Sequence, residues 1–386
     1  MTYSKLFLKH ASIFAIVGLL TFPLASQTPK GEKEGGKMLN YIFEGGKEGY
    51  QCFRIPAVVT TVKGAILAFA EGRKNGCSDT GSIDLVMKRS TDGGDTWGKL
   101  EVLWHDEGNT CGNPSPVVDR TTGDIFLLST WNLGEDHESE IIAQKSKDTR
   151  RVFVLKSEND GKSWSRPVEI TTDVKLPNWT WYATGPGSGI QILGGKYKDR
   201  LVIASDHIEA VTKKYYSHTI FSDDHGATWE LGGSTPLDQV NECEVVELSD
   251  HRLLLNMRNY DRQMSSRQLA YSDDGGESWK DMYHHESLIE PICQASTLRF
   301  DFMGQVYILF ANPADIKNRI NMTLRLSSDD GKSWPIEKQI FPGPSAYSDL
   351  TARDGESLGI LYEGGRDSAY QGIIWETVNI RELLGK

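Results

Sequence analysis

The chain has 386 residues, of which 38 are glycine, an aromatic content of 10% and a formal net charge of −11. This length allows one large domain or two small ones, and the glycine-rich composition with little helical periodicity favours a single all-β domain of short strands joined by turns. The negative charge argues against nucleic acid and anionic membrane surfaces as partners.

The first 26 residues are predicted to be a signal peptide. Lys5 and Lys9 give a basic start, residues 11–25 are mostly apolar, and small residues offer a cleavage site. A membrane anchor is the less favoured alternative, because the apolar run is short for a span and no stop-transfer pattern follows it. Residues 27–40 mix Lys, Glu and Gly and are predicted to be a flexible leader. We therefore expect an exported protein, periplasmic or extracellular, without stable membrane insertion.

One short motif occurs five times along the rest of the chain. It reads Ser-x-Asp/Asn-x-Gly-x-Ser/Thr-Trp, and the copies follow one another after 67, 65, 50 and 55 residues, starting at Ser90, Ser157, Ser222, Ser272 and Ser327. Repeats at this period indicate a propeller or a solenoid. Strand-like runs precede the first four copies, at residues 83–88, 152–156, 219–221 and 268–271.

Each copy of this turn motif has the composition of a tight turn. Its Asp or Asn is predicted to bond to its own backbone two residues on, and its Gly to adopt a positive φ. The hydroxyl residue adds a local side-chain hydrogen bond, and the Trp anchors the hairpin in an apolar layer. Taken together, the motif carboxylates could be mistaken for a catalytic cluster.

The cysteines form no recognisable pattern. Their odd number and irregular spacing predict no disulfide framework, and no Cys-x-x-Cys pair indicates a zinc site. We expect single buried thiols at Cys52, Cys77, Cys111, Cys243 and Cys293. No metal-ligand set is evident in the sequence, so no metal or other cofactor is predicted.

Three arginines lie at the starts or ends of strand-like runs in different repeats. Arg54 opens a β-rich run within Phe-Arg-Ile-Pro, Arg258 closes the run at residues 253–257, and Arg319 leads into the strand before the fifth turn motif. Taken singly, each would be a surface arginine. In a propeller the three could converge near the axis, where guanidinium forks suit one carboxylate gripped from several sides.

The turn motif resembles the Asp box, or BNR repeat, of sialidases and related β-propellers, where it lies far from the active site. The resemblance therefore implies that the motif carboxylates are structural and not catalytic. The combination of the turn motif with Phe-Arg-Ile-Pro near the predicted mature N-terminus resembles exo-α-sialidases of the bacterial type, from about Tyr41 to the C-terminus. The resemblance implies a six-bladed β-propeller of four-stranded antiparallel blades over residues 41–386, one of them without a recognisable box. Residues 41–43 would complete the last blade beside residues 372–378, which removes exposed strand edges.

The resemblance also implies a set of site residues. The carboxylate-binding arginines match Arg54, Arg258 and Arg319, with Arg325 as a rival for the third position. The nucleophile matches Tyr347. The glutamate that assists it matches Glu242, with Glu244 and Glu247 as competitors. The acid/base residue matches Asp79, which follows the segment Ala-Glu-Gly-Arg at residues 70–73, with Asp84 as the structural alternative.

Further positions follow from the same comparison with the family. Arg73 resembles the arginine on the O4 side of the sugar, and Glu363 resembles the acid that holds the first arginine. Asn113 and Tyr182 resemble residues that line the pocket, and Gln294 is a candidate for contacts with glycerol or N-acyl groups; each of these last three could equally be plain loop structure.

The implied chemistry is consistent with a tyrosine nucleophile. The substrate's anomeric carbon carries a carboxylate, and a neutral phenol avoids the charge repulsion that a carboxylate nucleophile would meet. The expected activity is retaining hydrolysis of terminal α-linked sialic acid from glycoproteins, glycolipids or oligosaccharides through a tyrosyl-linked intermediate. The alternatives are a non-catalytic sialoglycan-binding propeller, a trans-sialidase with the same catalytic set, and an enzyme that prefers a deaminated nonulosonic acid. Linkage preference and oligomeric state stay open.

Overall fold

The computed structural model describes residues 38–385. The predicted signal peptide at residues 1–26 and the leader up to residue 37 lie outside the described residues. Within the described range the chain forms 24 strands and three short helices. None of the helices in this range is both long and apolar enough to cross a membrane.

The first half of the described chain contains fourteen strands and two helices. They are β1 (Tyr41–Glu44), β2 (Cys52–Thr60), β3 (Ile66–Arg73), β4 (Ile83–Ser90), β5 (Glu101–Trp104), β6 (Thr110–Val118), β7 (Ile125–Asn132), α1 (Glu138–Ile142), β8 (Arg151–Ser157), β9 (Val168–Glu169), α2 (Thr171–Val174), β10 (Trp179–Thr184), β11 (Ile190–Gln191), β12 (Leu201–Glu209), β13 (Tyr215–Ser222) and β14 (Glu230–Ser234).

The second half adds ten strands and one helix. They are β15 (Val240–Glu247), β16 (Leu253–Asn259), β17 (Ser266–Ser272), β18 (Lys280–Ile289), β19 (Ser296–Phe302), β20 (Gln305–Pro313), β21 (Ile320–Ser327), β22 (Ile336–Ala352), β23 (Ser357–Gly364), β24 (Gly372–Asn379) and α3 (Ile380–Leu383).

Hydrogen bonding groups these strands into four sheets. β2 to β9 form a sheet of eight strands, and β10 to β14 form one of five. β15 to β18 form a sheet of four strands, and β19 to β24 together with β1 form one of seven. Most strands pair antiparallel with the next strand in the sequence, so the chain folds mainly as a series of hairpins. Apolar residues of successive sheets pack against each other to form the core.

The seven-stranded sheet joins the two ends of the described chain. Its long strand β22 pairs with β21 through its first part, up to Pro344, and with β23 from Ser345 onward. β1 pairs antiparallel with β24, with Tyr41 opposite Ile374. This is the pairing expected for residues 41–43, and it gives the edge of β24 a hydrogen-bonded partner.

The turn motifs follow the predicted chemistry with one difference. In the first copy, Gly94 has a φ of 91° and donates its N–H to Ser90 Oγ at 2.8 Å. Thr96 donates its N–H and its hydroxyl to the two Asp92 oxygens at 2.9 and 2.5 Å. The prediction that Asp92 accepts the backbone N–H two residues further on is wrong. Gly93 is also left-handed, with a φ of 76°, and the turn instead presents the N–H of Thr96, four residues further on, to Asp92.

Four of the five motif tryptophans pack against aromatic residues of other strands, which agrees with the predicted anchoring of the hairpins in an apolar layer. Trp229 lies edge-on to Phe126 of β7 with ring centroids 6.0 Å apart, and Trp97 lies edge-on to Trp375 of β24 at 5.4 Å. Burial of such a side chain contributes on the order of 2 kcal/mol. The turn motifs therefore hold neighbouring hairpins together.

Two of the five cysteines contradict the expectation of free thiols. Cys52 and Cys77 form a disulfide with Cα atoms 5.3 Å apart, while Cys111, Cys243 and Cys293 are buried thiols, as expected. Counting and spacing could not predict this pair, because it depends on how the loop after β3 folds back over the start of β2. The disulfide closes that loop onto the sheet.

Candidate active site

A cavity of about 190 Å³ gathers eight of the residues singled out in the sequence. They come from strands and loops spread over most of the chain: Arg54, Arg73, Asp79, Asn113, Glu242, Arg258, Arg319 and Tyr347. Glu363 lies behind Arg54 and does not line the cavity.

The Tyr347 hydroxyl donates a hydrogen bond to Glu242 Oε1 at 2.5 Å. The tyrosine lies on β22 and is 5% exposed. Burial and the Glu242 carboxylate raise the pKa of Tyr347 well above its ordinary value, although three arginines act in the opposite direction. The phenol is therefore protonated at neutral pH, and Glu242 is positioned to accept its proton.

Three guanidinium groups surround this tyrosine. Arg258 Nη1 donates to Glu242 Oε2 at 2.6 Å and to the Tyr347 hydroxyl at 3.1 Å. The Arg54 and Arg319 guanidinium carbons lie 4.9 and 5.6 Å from the centre of the Tyr347 ring. Such a cluster suits an anionic group bound over the phenol.

Arg54 and Arg319 are each held in place by hydrogen bonds to a neighbouring side chain. Glu363 receives Arg54 Nε and Nη2 at 3.0 and 3.2 Å, and it also accepts the backbone N–H of Tyr347 at 3.3 Å. Arg319 donates to the Tyr370 hydroxyl at 2.9 Å. Burial lowers the pKa of Arg54, but Glu363 and other neighbours outweigh it and raise the pKa, so this arginine stays charged.

Asp79 lies at the mouth of the cavity, with 66% of its side chain exposed. Its Oδ1 accepts Arg73 Nη1 at 2.7 Å and Arg54 Nη1 at 3.3 Å. The surrounding protein opposes ionisation, but the two guanidinium groups outweigh this and lower the pKa of Asp79 below its ordinary value. Glu71 fixes Arg73 from the other side, by accepting its Nε at 2.9 Å.

The disulfide lies close to these groups in sequence and in space. Cys52 precedes Arg54 by two residues, and Cys77 precedes Asp79 by two residues. The carbonyl oxygen of Cys77 also accepts Arg73 Nη1 at 2.7 Å. The loop that carries Asp79 is thus tied to the sheet by one covalent bond and one hydrogen bond next to the carboxylate.

Irregular strand pairing coincides with the site residues. The register shifts between Arg54 and Ala57 on β2, between Gly112 and Ser115 on β6, between Val240 and Cys243 on β15, and between Ser345 and Ser348 on β22. These intervals include or adjoin the site residues of those strands. A bulge re-aims side chains that regular alternation would point elsewhere.

The competing glutamates are engaged elsewhere. Glu244 is buried and accepts the backbone N–H of Thr297 at 2.7 Å, and Glu247 accepts the N–H of Leu193 at 2.7 Å. Neither lines the cavity, whereas Glu242 does. Glu244 and Glu247 therefore hold the backbone at Thr297 and Leu193 in place.

The other two alternatives also lie outside the cavity lining. Arg325 donates to Asn312 at 3.1 Å, and Asp84 accepts the Tyr50 hydroxyl at 2.7 Å. Arg325 and Asp84 therefore bind neighbouring side chains and do not line the cavity.

Two of the three weaker candidates do not reach the cavity. Tyr182 is fully buried against His218, and Gln294 donates to the carbonyl oxygens of Pro186 and Ser348 at 3.0 and 2.9 Å. The expectations that Tyr182 lines the pocket and that Gln294 contacts glycerol or N-acyl groups are corrected, because both side chains are fully buried and neither lines the cavity. Asn113 does line the cavity, and its N–H donates to Glu71.

Several cavity residues had no signal in the sequence. Arg150, Trp181, Asp206 and Tyr260 all line the cavity, and Tyr370 supports Arg319 from outside it. They belong to no motif in the sequence. Only the three-dimensional arrangement brings them to the site.

Comparison with known proteins adds an independent observation. Residues 64–360 match the family described as BNR repeat-like domain. The chain is 34% identical to a sialidase of Micromonospora viridifaciens over 84% of its own length and 52% of that protein. It is 30% identical to a sialidase of Paraclostridium sordellii over 83% of each chain. The solved structure of the Hadza microbial sialidase Hz136 superposes with a TM-score of 0.81 at 29% identity, over 90% of this chain and 69% of that one.

Proposed function

The chain belongs to the sialidase family, and from this membership we propose that it is a retaining exo-α-sialidase. It releases terminal α-linked sialic acid from glycoproteins, glycolipids or oligosaccharides. The observation that carries the proposal is the 2.5 Å hydrogen bond between Tyr347 and Glu242 beneath a cluster of arginines. A nucleophile, its base and an anion site then share one cavity.

Substrate binding begins with the carboxylate at the anomeric carbon. Arg54, Arg258 and Arg319 grip it and fix the sugar so that C2 lies over the phenolic oxygen of Tyr347. Glu363 limits the motion of Arg54, because its Oε1 accepts a hydrogen bond from Arg54 Nε at 3.0 Å. Arg73 then faces O4 of the sugar.

The first chemical step forms a bond between the phenolic oxygen and C2 while the glycosidic C–O bond breaks. Glu242 takes the phenolic proton, which the raised pKa of Tyr347 would otherwise retain. Asp79 gives a proton to the departing oxygen. Substrate binding favours this protonated Asp79, because the substrate's carboxylate offsets the positive charge of Arg54.

The second step hydrolyses the tyrosyl-linked sugar. Asp79 takes a proton from water, the water oxygen bonds to C2, and the bond between C2 and the phenolic oxygen breaks. Glu242 returns its proton to Tyr347. Two inversions at C2 give net retention.

We further propose that the four sheets correspond to a six-bladed propeller of four-stranded antiparallel blades. Successive groups of four strands would be β2–β5, β6–β9, β10 with β12–β14, β15–β18, β19–β21 with the first part of β22, and the rest of β22 with β23, β24 and β1. The shift of pairing partner within β22 at Ser345 supports this division. The cavity then lies at one end of the propeller axis.

We also propose that residues 1–26 are removed on export and that the enzyme acts in the periplasm or outside the cell. The Cys52–Cys77 disulfide supports this location, because such bonds persist in oxidising compartments. N-terminal sequencing of the protein recovered from periplasm and medium would test both points, and an uncleaved cytoplasmic product would contradict them.

The decisive experiment is incubation with 3′- and 6′-sialyllactose while free sialic acid and transfer products are both measured. Hydrolysis predicts free sialic acid, first released as the α-anomer, with little transfer to added lactose. Dominant transfer to lactose would favour a trans-sialidase. Binding without release would favour a non-catalytic sialoglycan-binding protein. Comparison with a deaminated aryl glycoside would report the preference at C5.

A further inference from the structure

Arg319 is held differently from the other two arginines of the cluster. Each of those two pairs with a glutamate, at 3.0 and 2.6 Å. No carboxylate between residues 38 and 385 forms an ion pair with Arg319. Its guanidinium donates instead to the Tyr370 hydroxyl at 2.9 Å and to the carbonyl oxygen of Ile292 at 3.1 Å. Two neutral acceptors therefore set its orientation.

Ile292 presents this carbonyl oxygen from a strained backbone. Its φ is 56°, a left-handed conformation that crowds a β-branched side chain and that isoleucine rarely adopts. It lies in the connection between β18 and β19, at residues 290–295, where no strand pairing fixes the backbone. Such a conformation persists only where surrounding contacts hold it, so the contacts of this segment decide where the carbonyl oxygen points.

Glu290 holds the peptide group that contains this carbonyl. Its side chain is fully buried, and its Oε2 accepts the backbone N–H of Cys293 at 3.0 Å. The carbonyl of Ile292 and the N–H of Cys293 belong to the same planar trans peptide, in which they point in opposite directions. A carboxylate fixed on the N–H side therefore directs the carbonyl oxygen to the other side, where Arg319 lies.

Two arginines in turn fix Glu290. Arg262 Nη1 donates to its Oε1 at 2.8 Å. Arg267, which is fully buried, lies 3.5 Å from its Oε2 and also donates to the carbonyl oxygen of Cys293 at 2.6 Å. The same arginine donates to Asn256 Oδ1 at 2.6 Å, which ties it to β16. The carboxylate is thus held between two guanidinium groups, one on each oxygen.

The first arginine of the cluster shows a similar arrangement. Ile55, next to Arg54, has a φ of 57°, and its N–H donates to Glu363 Oε1 at 2.9 Å. Glu363 thus binds both the strained backbone and the arginine directly. At Arg319 the glutamate is one step further away, because a peptide group lies between the carboxylate and the arginine.

We propose that Glu290 is a positioning residue for substrate binding. By fixing the peptide between Ile292 and Cys293, it aims the Ile292 carbonyl oxygen at Arg319. The inference rests on the proposed function, in which Arg319 binds the substrate's carboxylate. Without Glu290 the isoleucine relaxes to a negative φ, its carbonyl oxygen turns away, and Arg319 keeps only Tyr370. The substrate then loses a directed, charge-assisted hydrogen bond.

The main experiment combines Glu290→Gln with Ile292→Gly and measures release from 3′-sialyllactose. Glu290→Gln turns an acceptor oxygen into a donor amide beside groups that are themselves donors, so kcat/KM should fall by about tenfold. Glycine adopts a positive φ at no steric cost, so the double variant should recover to within about threefold of the wild type. Glycine could not repair an unpaired Arg267 or a damaged core, so a loss that persists in the folded double variant overturns the inference.

A second comparison uses Arg319→Ala. If Glu290 acts through Arg319, adding Glu290→Gln to Arg319→Ala should change kcat/KM by less than about twofold. A general structural role would instead give two independent losses that multiply. A further loss of about tenfold in the folded double variant therefore overturns the inference.

Glu247→Gln is the matched control, because Glu247 is also buried and accepts a backbone N–H at 2.7 Å, but outside the cavity lining. It should keep kcat/KM within about twofold of the wild type. Thermal unfolding checks that each variant folds. Glu290→Asp keeps the charge between the two arginines but draws it back from the Cys293 N–H. It should show the same loss and the same rescue by Ile292→Gly, and it supplies the measurement if Glu290→Gln does not fold.

Binding separates this inference from the proposed hydrolysis. Calorimetry with 3′-sialyllactose in the Tyr347→Phe background requires no turnover. Glu290→Gln should weaken the affinity by about tenfold, and the added Ile292→Gly should restore it. If the wild type releases no sugar but the affinity follows this pattern, the positioning role stands and the hydrolase proposal fails. If the wild type hydrolyses sialyllactose and Glu290→Gln changes neither affinity nor kcat/KM by more than about twofold, the hydrolase proposal stands and the positioning role is overturned.

Discussion

Tyr347 and Glu242 are 105 residues apart in the chain, yet their side chains share a 2.5 Å hydrogen bond. Arg258 bonds to both, so the pair is held in one orientation. A phenol with a raised pKa is a poor nucleophile until a base takes its proton. The proposed role of Tyr347 as nucleophile therefore depends on Glu242 as its base.

Tyr347→Phe should lower kcat for sialyllactose by at least about a thousandfold, because the attacking oxygen is lost. Steady-state release of sialic acid measures the change, and Tyr271→Phe is a control that removes a hydroxyl lying 3.3 Å from the Tyr283 hydroxyl, outside the cavity lining. Calorimetric binding of sialyllactose should survive in Tyr347→Phe. Near-normal turnover would contradict the nucleophile assignment.

Arg319→Ala should lower kcat/KM by roughly 10- to 100-fold, as expected when charged hydrogen bonds to the substrate's carboxylate are lost. Arg325→Ala should stay within about threefold, because Arg325 bonds to Asn312 outside the cavity lining. The reverse order of effects, in variants with native unfolding profiles, would assign the third arginine to Arg325.

Removal of the disulfide by Cys52→Ser with Cys77→Ser should affect substrates according to their leaving group. A misplaced Asp79 protonates sialyllactose poorly, so kcat should fall by about tenfold, whereas an activated aryl sialoside should change by less than about threefold. The free energy of unfolding should fall by about 2–4 kcal/mol. Cys111→Ala is the thiol control. An equal loss on both substrates would mean that the disulfide does not act through Asp79.

The lowered pKa of Asp79 sets the sign of the pH dependence. At neutral pH the unliganded enzyme holds this carboxyl ionised, and the protonated fraction rises as the pH falls. The kcat/KM for sialyllactose should therefore rise by about tenfold for each unit by which the pH falls between about pH 7 and pH 5. In the substrate complex the substrate's carboxylate offsets the positive charge of Arg54. The decrease of kcat with rising pH should therefore occur at higher pH than the decrease of kcat/KM. Asp79→Asn should remove this decrease of kcat/KM; its persistence in the variant would assign it to another group.

Gly226→Ala should destabilise the fold by about 2–4 kcal/mol without changing kcat of the folded enzyme. Its φ is 78°, and an added Cβ would lie 2.3 Å from the Phe126 ring. Gly64→Ala has a similar φ of 83° but no atom within 4 Å of the added Cβ, so it isolates the backbone cost of about 1–2 kcal/mol. Denaturant unfolding compares the two, and equal losses would show that the contact with Phe126 contributes nothing.

Local features of the fold could be predicted from the sequence. The turn motif specifies its own hydrogen bonds through residues at most four positions apart, and the strand-like runs before the first four copies lie within β4, β8, β13 and β17. The pairing of β1 with β24 followed from the resemblance to known propellers. Within residues 38–385 these features account for the hairpins and their anchoring tryptophans.

The site was predictable only where a motif marked it. Composition could not select Tyr347 from 14 tyrosines, and the choice rested on resemblance. Arg150 and Asp206 had no motif, and the disulfide depended on the folding of one loop. Tyr182 was placed in the pocket by resemblance alone, whereas its side chain is fully buried against His218.

The continuous strand β22 restricts where residues can be inserted or deleted as this protein evolves. The strand runs from Ile336, next to the fifth turn motif, to Ala352, and it carries Tyr347 near its far end. Adding or deleting one residue in the first part of the strand would rotate the phenol to the opposite face. Length variation among descendants of this chain should therefore accumulate in the loops and avoid this strand, whatever residues line its outer surface.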